Sequence, residues 1–333
     1  MVKISKKVEM IKKIKKFISD NNLDGYIIPK NDNYFTEYSK INNLVKVTNF
    51  TGSAGFAIIL KNVNYLFVDG RYTLQAKNQS GKNFYILQIP HKWPKDLKEI
   101  QNRIIGFDPK LFNEETLSKY FESKCNLAPI HFDFKNKKNQ KINKFFLLNK
   151  NVVGESWSKK LKKIKKYMLR NKINYFYISA SENVNWLLNI RGKDLPNSPI
   201  ANCKLIISDN NKLYFFTDLR KISYSFKKKF KNIIFLDEKK FFKIISKLRE
   251  GNFCIDEKTC SIFEKQIIKS KFKIVKNLDP IYDLKSVKNK TEINNTINAH
   301  IEDGVAVTKF LYWFKKNKKV INLAKKVKGY SEI

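Results

Sequence analysis

Arginine and acidic side chains are both scarce beside lysine. Only six of the 67 basic residues are arginine (Arg71, Arg103, Arg170, Arg191, Arg220 and Arg249), against 30 Asp and Glu, and the formal net charge is +37 over 333 residues. Base readout and phosphate forks favour the planar guanidinium over the lysine ammonium, so specific nucleic-acid recognition is not expected. The lysines come with abundant Asn, Ile, Phe and Tyr, a mixture that an A+T-rich genome writes into exposed positions. A basic polyanion-binding protein remains an alternative, recognisable by an affinity that falls steeply with salt. Cys125, Cys203, Cys254 and Cys260 form no CxxC pair and no dense framework, the pattern of reduced thiols in a cytoplasmic protein. No apolar run approaches the roughly 18 residues of a membrane span, so no membrane partner is expected. Lys3, Lys6 and Lys7 open the chain without the uninterrupted apolar core or cleavage site of a secretory signal.

Hydrophobic residues make up 42% of the chain, enough for real cores, and the length exceeds one ordinary domain. The stretch Asn49–Leu60, then Tyr65–Tyr72, reads as a hairpin: two β-branched and aromatic runs flank the polar Lys61–Asn64. Gly52 and Gly55 bracket its entry, and Asp69 and Arg71 share a face at its exit.

A shift of 150 residues lays the chain on itself. Ile11, Ile14, Phe17 and Ile18, the apolar stripe of a helix over 8–19, meet Leu161, Ile164, Tyr167 and Met168; Asn21 meets Asn171; and Tyr175–Ile178 falls on the strand Tyr26–Pro29. The hairpin recurs as Leu205–Ser208 and Leu213–Arg220, with Asp218 and Arg220 repeating its ending, and Ile104–Asp108 with 113–122 matches Phe253–Asp256 with 259–268. Two copies of one α/β domain are expected, at 1–148 and 149–280, each a mixed sheet covered by helices. A third segment, 281–333, opens a long helix with Thr291 available as its cap. Ile293, Ile297, His300, Gly304, Val307 and Leu311 line one face of that helix, a face that needs a partner.

Four blocks carry a family resemblance: Tyr26–Pro29 with Glu37-Tyr38 and Phe50–Gly55; Asp69–Tyr72 with Leu74–Ala76; Trp186–Gly192 with Asp194, Pro196, Asn197 and Pro199; and Lys288-Asn289 with Thr291–Ile293 and Ala299–Ala306. In this order and spacing the chain resembles the long, three-domain Xaa-Pro aminopeptidases (aminopeptidase P) of the creatinase family. The resemblance implies two creatinase-like N-terminal domains followed by the start of a pita-bread catalytic domain. It also implies a homodimer, proline-containing peptide substrates, and two divalent metals, usually manganese, in the whole enzyme. The family's metal-ligand segments, of the Thr-Asp-x-Thr-Arg and Gly-x-Gly-His types, are missing, and histidine is limited to His91, His131 and His300. The chain therefore reads as truncated at the threshold of the catalytic domain, with Tyr330–Ile333 resembling the next block. It is expected to hold no metal or other cofactor, to contain no catalytic residue and to be inactive alone. A non-catalytic dimerisation or interaction module of the same descent is the alternative.

The resemblance implies substrate-binding roles for His300 and Arg71. Against these stand plainer readings: a helix-face histidine satisfied by one hydrogen bond, and an Asp69–Arg71 pair that only finishes a hairpin, as Asp218–Arg220 does. His300 and Asp303, at i and i+3, are two ligands on one helix, too few for zinc. Asn189–Gly192 with Asp194 reads as a loop near the catalytic mouth, Trp186 as core. Ser53 lacks a histidine-bearing elbow and reads as a turn residue.

Overall fold

The computed structural model describes residues 6–36, 38–39, 42–134 and 142–317. The Tyr330–Ile333 block lies outside them. The first domain contains β1 (Gly25–Pro29), β2 (Gly55–Leu60), β3 (Asn64–Asp69), β4 (Tyr85–Ile89), β5 (Ile104–Phe107) and β6 (Asn126–Pro129). After a short β7 (Phe146–Leu147) come β8 (Tyr175–Ile178), β9 (Ile190–Arg191), β10 (Lys204–Ser208), β11 (Leu213–Phe216), β12 (Ile233–Leu236), β13 (Asn252–Ile255) and β14 (Lys273–Lys276). The sheets run β4-β3-β2-β1-β5-β6 and β12-β11-β10-β8-β13-β14, while β7 and β9 form a separate antiparallel pair. In both large sheets the hairpin pairs antiparallel with the first strand, and the outer strands pair parallel. The repeat in the sequence is thus a repeat of topology.

Period-two alternation splits each central strand between two cores. Tyr26 and Ile28 face one side of the first sheet with Ile14 and Ile18, and Ile27 faces the other with Phe107 and Phe112. In the second sheet Phe176 and Ile178 face Ile164, whereas Tyr175 and Tyr177 face Phe241 and Ile268. The helices Lys6–Asp20 and Trp157–Arg170 fit here because their apolar residues recur every three or four positions. Each fully buried aliphatic side chain contributes about 1.5–3 kcal/mol.

One twin position diverges and another is kept. Lys160 is 1% exposed and sits where the first copy has the partly buried Met10. It donates to Trp186 O at 2.9 Å and Asn189 Oδ1 at 2.8 Å, with its ammonium 4.0 Å from the Trp186 ring centre. Asp108 after β5 and Asp256 after β13 each accept the amide two residues on, at 3.0 and 2.9 Å.

The long helix spans Lys290–Lys316. Its cap differs from expectation: Asn289 accepts the Glu292 amide at 3.0 Å and Glu292 returns to the Asn289 amide at 3.0 Å, a capping box that leaves Thr291 inside the first turn. Asn289 and Asn295 donate to the carbonyls of Val153 and Val152 at 2.9 and 3.0 Å. None of the helix's residues is buried, and Ile297, Ile301, Phe310, Leu311 and Trp313 are each at least half exposed.

Candidate functional site

Among the described residues the two domains meet at an apolar contact and around a cavity. Ile262 of the second domain joins the apolar cluster of Leu111, Phe112 and Phe121 in the first, and the amides of Ile262 and Phe263 donate to the carbonyls of Phe112 and Pro109 at 2.9 and 3.0 Å. Beside this fixed contact lies a cavity of about 740 Å³. It opens beyond the carboxyl ends of strands in both sheets, where loops carry side chains free of the ladder. Tyr34 follows β1, Asp108 follows β5 and His131 follows β6; Asp218 and Arg220 follow β11, and Glu238 follows β12.

The lining is polar and largely self-satisfied. His131 Nδ1 lies 2.6 Å from Asp108 Oδ2, Lys221 Nζ lies 2.9 Å from Asp194, and Asp194 also accepts the Asn202 amide at 2.7 Å. The Tyr34 hydroxyl donates across the interface to Glu238. Burial pushes the Glu238 carboxyl up to about 7, with Glu264 and Asp32 adding like charge. Ordered polar partners and cations of this kind can hold a polar ligand. Among the described residues, however, no group of three or more His, Cys, Asp or Glu side chains is placed to hold a metal ion, so the residues present do not fit a dinuclear centre.

The two substrate-binding candidates from sequence, Arg71 and His300, lie elsewhere. Arg71 is exposed and forks onto Asp69, with Nε to Oδ1 at 2.9 Å and the backbone amide to the same oxygen at 2.9 Å. Arg220 repeats the fork on Asp218, Nε to Oδ1 at 3.0 Å and Nη2 to Oδ2 at 2.7 Å. Arg220 lines the cavity and Arg71 does not. His300 is exposed on the long helix and does not line the cavity, and a Cβ added at Gly304 would meet nothing within 4 Å beyond its own helix backbone among the described residues. Ser53 Oγ lies 2.9 Å from the Tyr72 hydroxyl, a turn contact. Asp194 belongs to the cavity wall, and Trp186 is half-buried under Lys160. Tyr34 and Glu238 escaped the sequence reading because 204 residues separate them and neither belongs to a motif.

The family description "Creatinase/Prolidase N-terminal domain" matches residues 10–133, and a second description with the same wording matches residues 136–292. The chain carries two creatinase/prolidase N-terminal domains. Beyond these domains, Xaa-Pro aminopeptidase 1 of Dictyostelium discoideum is 27% identical over 343 residues, covering 94% of this chain and 53% of that protein. Xaa-Pro aminopeptidase ApepP of Drosophila melanogaster is 28% identical over 318 residues, covering 87% of this chain and 51% of that protein. The chain thus spans about half the length of the curated relatives it matches. An X-prolyl aminopeptidase from Caenorhabditis elegans, described as a cytosolic enzyme with a di-nuclear active site, has the same fold over 94% of this chain and 56% of its own, with a TM-score of 0.82 and 21% identity. No helix among the described residues is long and apolar enough to cross a membrane.

Proposed function

We propose that these two creatinase/prolidase N-terminal domains are the N-terminal part of an Xaa-Pro aminopeptidase, which removes the first residue from peptides with proline second. The supporting observation is the match to Xaa-Pro aminopeptidases across 94% of this chain but only about half of theirs, together with a 27-residue helix none of whose residues is buried. On this reading 1–148 and 149–280 are the two N-terminal domains and 281–333 begins the catalytic domain, which covers the apolar face around His300 and Gly304. The metal ligands lie outside these 333 residues. Two divalent ions, manganese in the first instance, would supply an activated water and a polarised carbonyl. This chain's own share is to shape the substrate site, through His300 and, secondarily, Arg71, and to form the dimer contact. A cytoplasmic setting agrees with four free cysteines.

The test is hydrolysis of a short Xaa-Pro peptide with added Mn²⁺, run on this chain and on the chain extended by a catalytic domain from the family. Turnover only by the extended chain supports the reading. Turnover by the 333-residue chain, or by neither, overturns it.

A further inference from the structure

The cavity between the domains reverses the charge of the chain. Among the described residues, carboxylates outnumber Lys and Arg in its lining by seven to three, in a protein with a net charge of +37. Of the three cations, Arg220 forks onto Asp218, Lys221 pairs with Asp194, and Lys239 is exposed. That leaves carboxylates on both walls whose partners are uncharged. Asp32, from the first domain, accepts the amides of Tyr34 and Thr36 at 2.9 and 3.1 Å and the Thr36 hydroxyl at 2.8 Å. Asp237 and Glu238, from the second, accept the Lys239 amide at 3.0 Å and the Tyr34 hydroxyl respectively. An ionised carboxylate offers about four acceptor sites, so each keeps lone pairs for a further donor.

A second feature asks for the same chemistry. Asn202 also lines the cavity, and its backbone is fixed on both sides: the amide donates to Asp194 Oδ2 at 2.7 Å and the carbonyl accepts the Thr217 hydroxyl at 2.8 Å. Its side-chain Oδ1 is buried and has no hydrogen-bond partner among the described residues. Buried acceptors are nearly always satisfied in folded proteins, and only a donor can satisfy this one. The wall also carries Leu111, Phe132, Phe134 and Leu195, which suit a hydrocarbon chain. No three acidic groups among the described residues are placed to share a metal ion, whereas about 740 Å³ is the size of a small-molecule site.

We propose that this cavity binds an aliphatic polyamine-class cation: its ammonium groups take Asp32 from one domain and Asp237 and Glu238 from the other, an N–H group satisfies Asn202 Oδ1, and the methylene chain lies on the apolar wall. No residue of the long helix lines the cavity, so the site needs no catalytic domain.

The test is isothermal titration calorimetry of the 333-residue chain with spermidine, at about 0.15 M salt to screen diffuse attraction. Saturable binding that weakens at least about tenfold in Asp237→Asn with Glu238→Gln, and is unchanged by Glu115→Gln on an exposed helix face, supports the proposal. Undetectable binding, binding that survives the double substitution, or equal binding of an alkyl diol of the same length overturns it. In the wild-type chain, without substitutions, the Asn202 side-chain amide signal in a nitrogen-edited NMR spectrum should move in step with calorimetric saturation. A signal that stays in place overturns the proposal.

Discussion

Asn21 and Asn171 close the helices Lys6–Asp20 and Trp157–Arg170 with the same hydrogen bond: each side-chain amide reaches back four residues, to Phe17 O at 2.8 Å and to Tyr167 O at 2.9 Å. The next residues, Asn22 and Lys172, share φ 53°, and the amides after them close onto Ile18 and Met168, both at 2.9 Å. Against such identity the differences between the copies become informative, and Lys160 in the place of Met10 is the first of them.

Burial pushes the Lys160 ammonium down from 10.5 to about 8. Between those values the unfolded chain keeps a proton that the folded chain gives up, so stability rises with pH over that window, by up to about 3 kcal/mol. In Lys160→Met this contribution to the rise should vanish from urea midpoints measured between pH 7.5 and 10.5. Lys160→Ala should cost about 2–4 kcal/mol at neutral pH, since it leaves a gap and takes the ammonium away from Asn189 Oδ1 and Trp186 O.

The Arg71 and Arg220 forks have the same geometry, and both arginines are exposed. Arg71→Ala and Arg220→Ala should therefore lower the thermal midpoint by similarly small amounts. In the catalytically extended chain, a rise in KM confined to Arg71→Ala is the signature expected of substrate contact. Equal and negligible changes in KM would leave both arginines as turn fasteners.

Phe310, Leu311 and Trp313 are each at least half exposed on the long helix. The 333-residue chain should bind an environment-sensitive apolar dye strongly, and Phe310→Glu with Leu311→Glu should remove most of the signal. Extension by a catalytic domain should quench it to the same degree. Strong dye binding after extension would mean that the helix is not covered.

Gly154 holds φ 69°, and a Cβ there would lie 2.3 Å from Asn289 Oδ1. Gly154→Ala should destabilise the chain by about 1–3 kcal/mol. Hydrogen exchange should locate the loss at the capping box of the long helix, with the two sheets unaffected.

The sheets were legible because each strand states its own period, and the second copy repeated the statement 150 residues on. The long helix was legible from its stripe, but its cap was not: Asn289 outcompetes Thr291 because it also reaches Val153 O, a contact 136 residues away. The cavity was illegible for the same reason. Its walls come from loops at the ends of strands in two sheets, and polar loop residues carry no periodicity to mark which of them converge. His300 was found by its motif alone, and in the described residues it stands exposed on the long helix.

Asp108 and Asp256 make the same two-residue turn, but their second oxygens have parted company. One meets His131 at 2.6 Å in the cavity wall, and the other accepts the Asp279 amide at 3.0 Å where the chain leaves the second domain. The molecule therefore contains its own ancestral control. Transplanting the partners of one aspartate onto the other would ask, within a single polypeptide, which of the duplicated halves has been free to change its task.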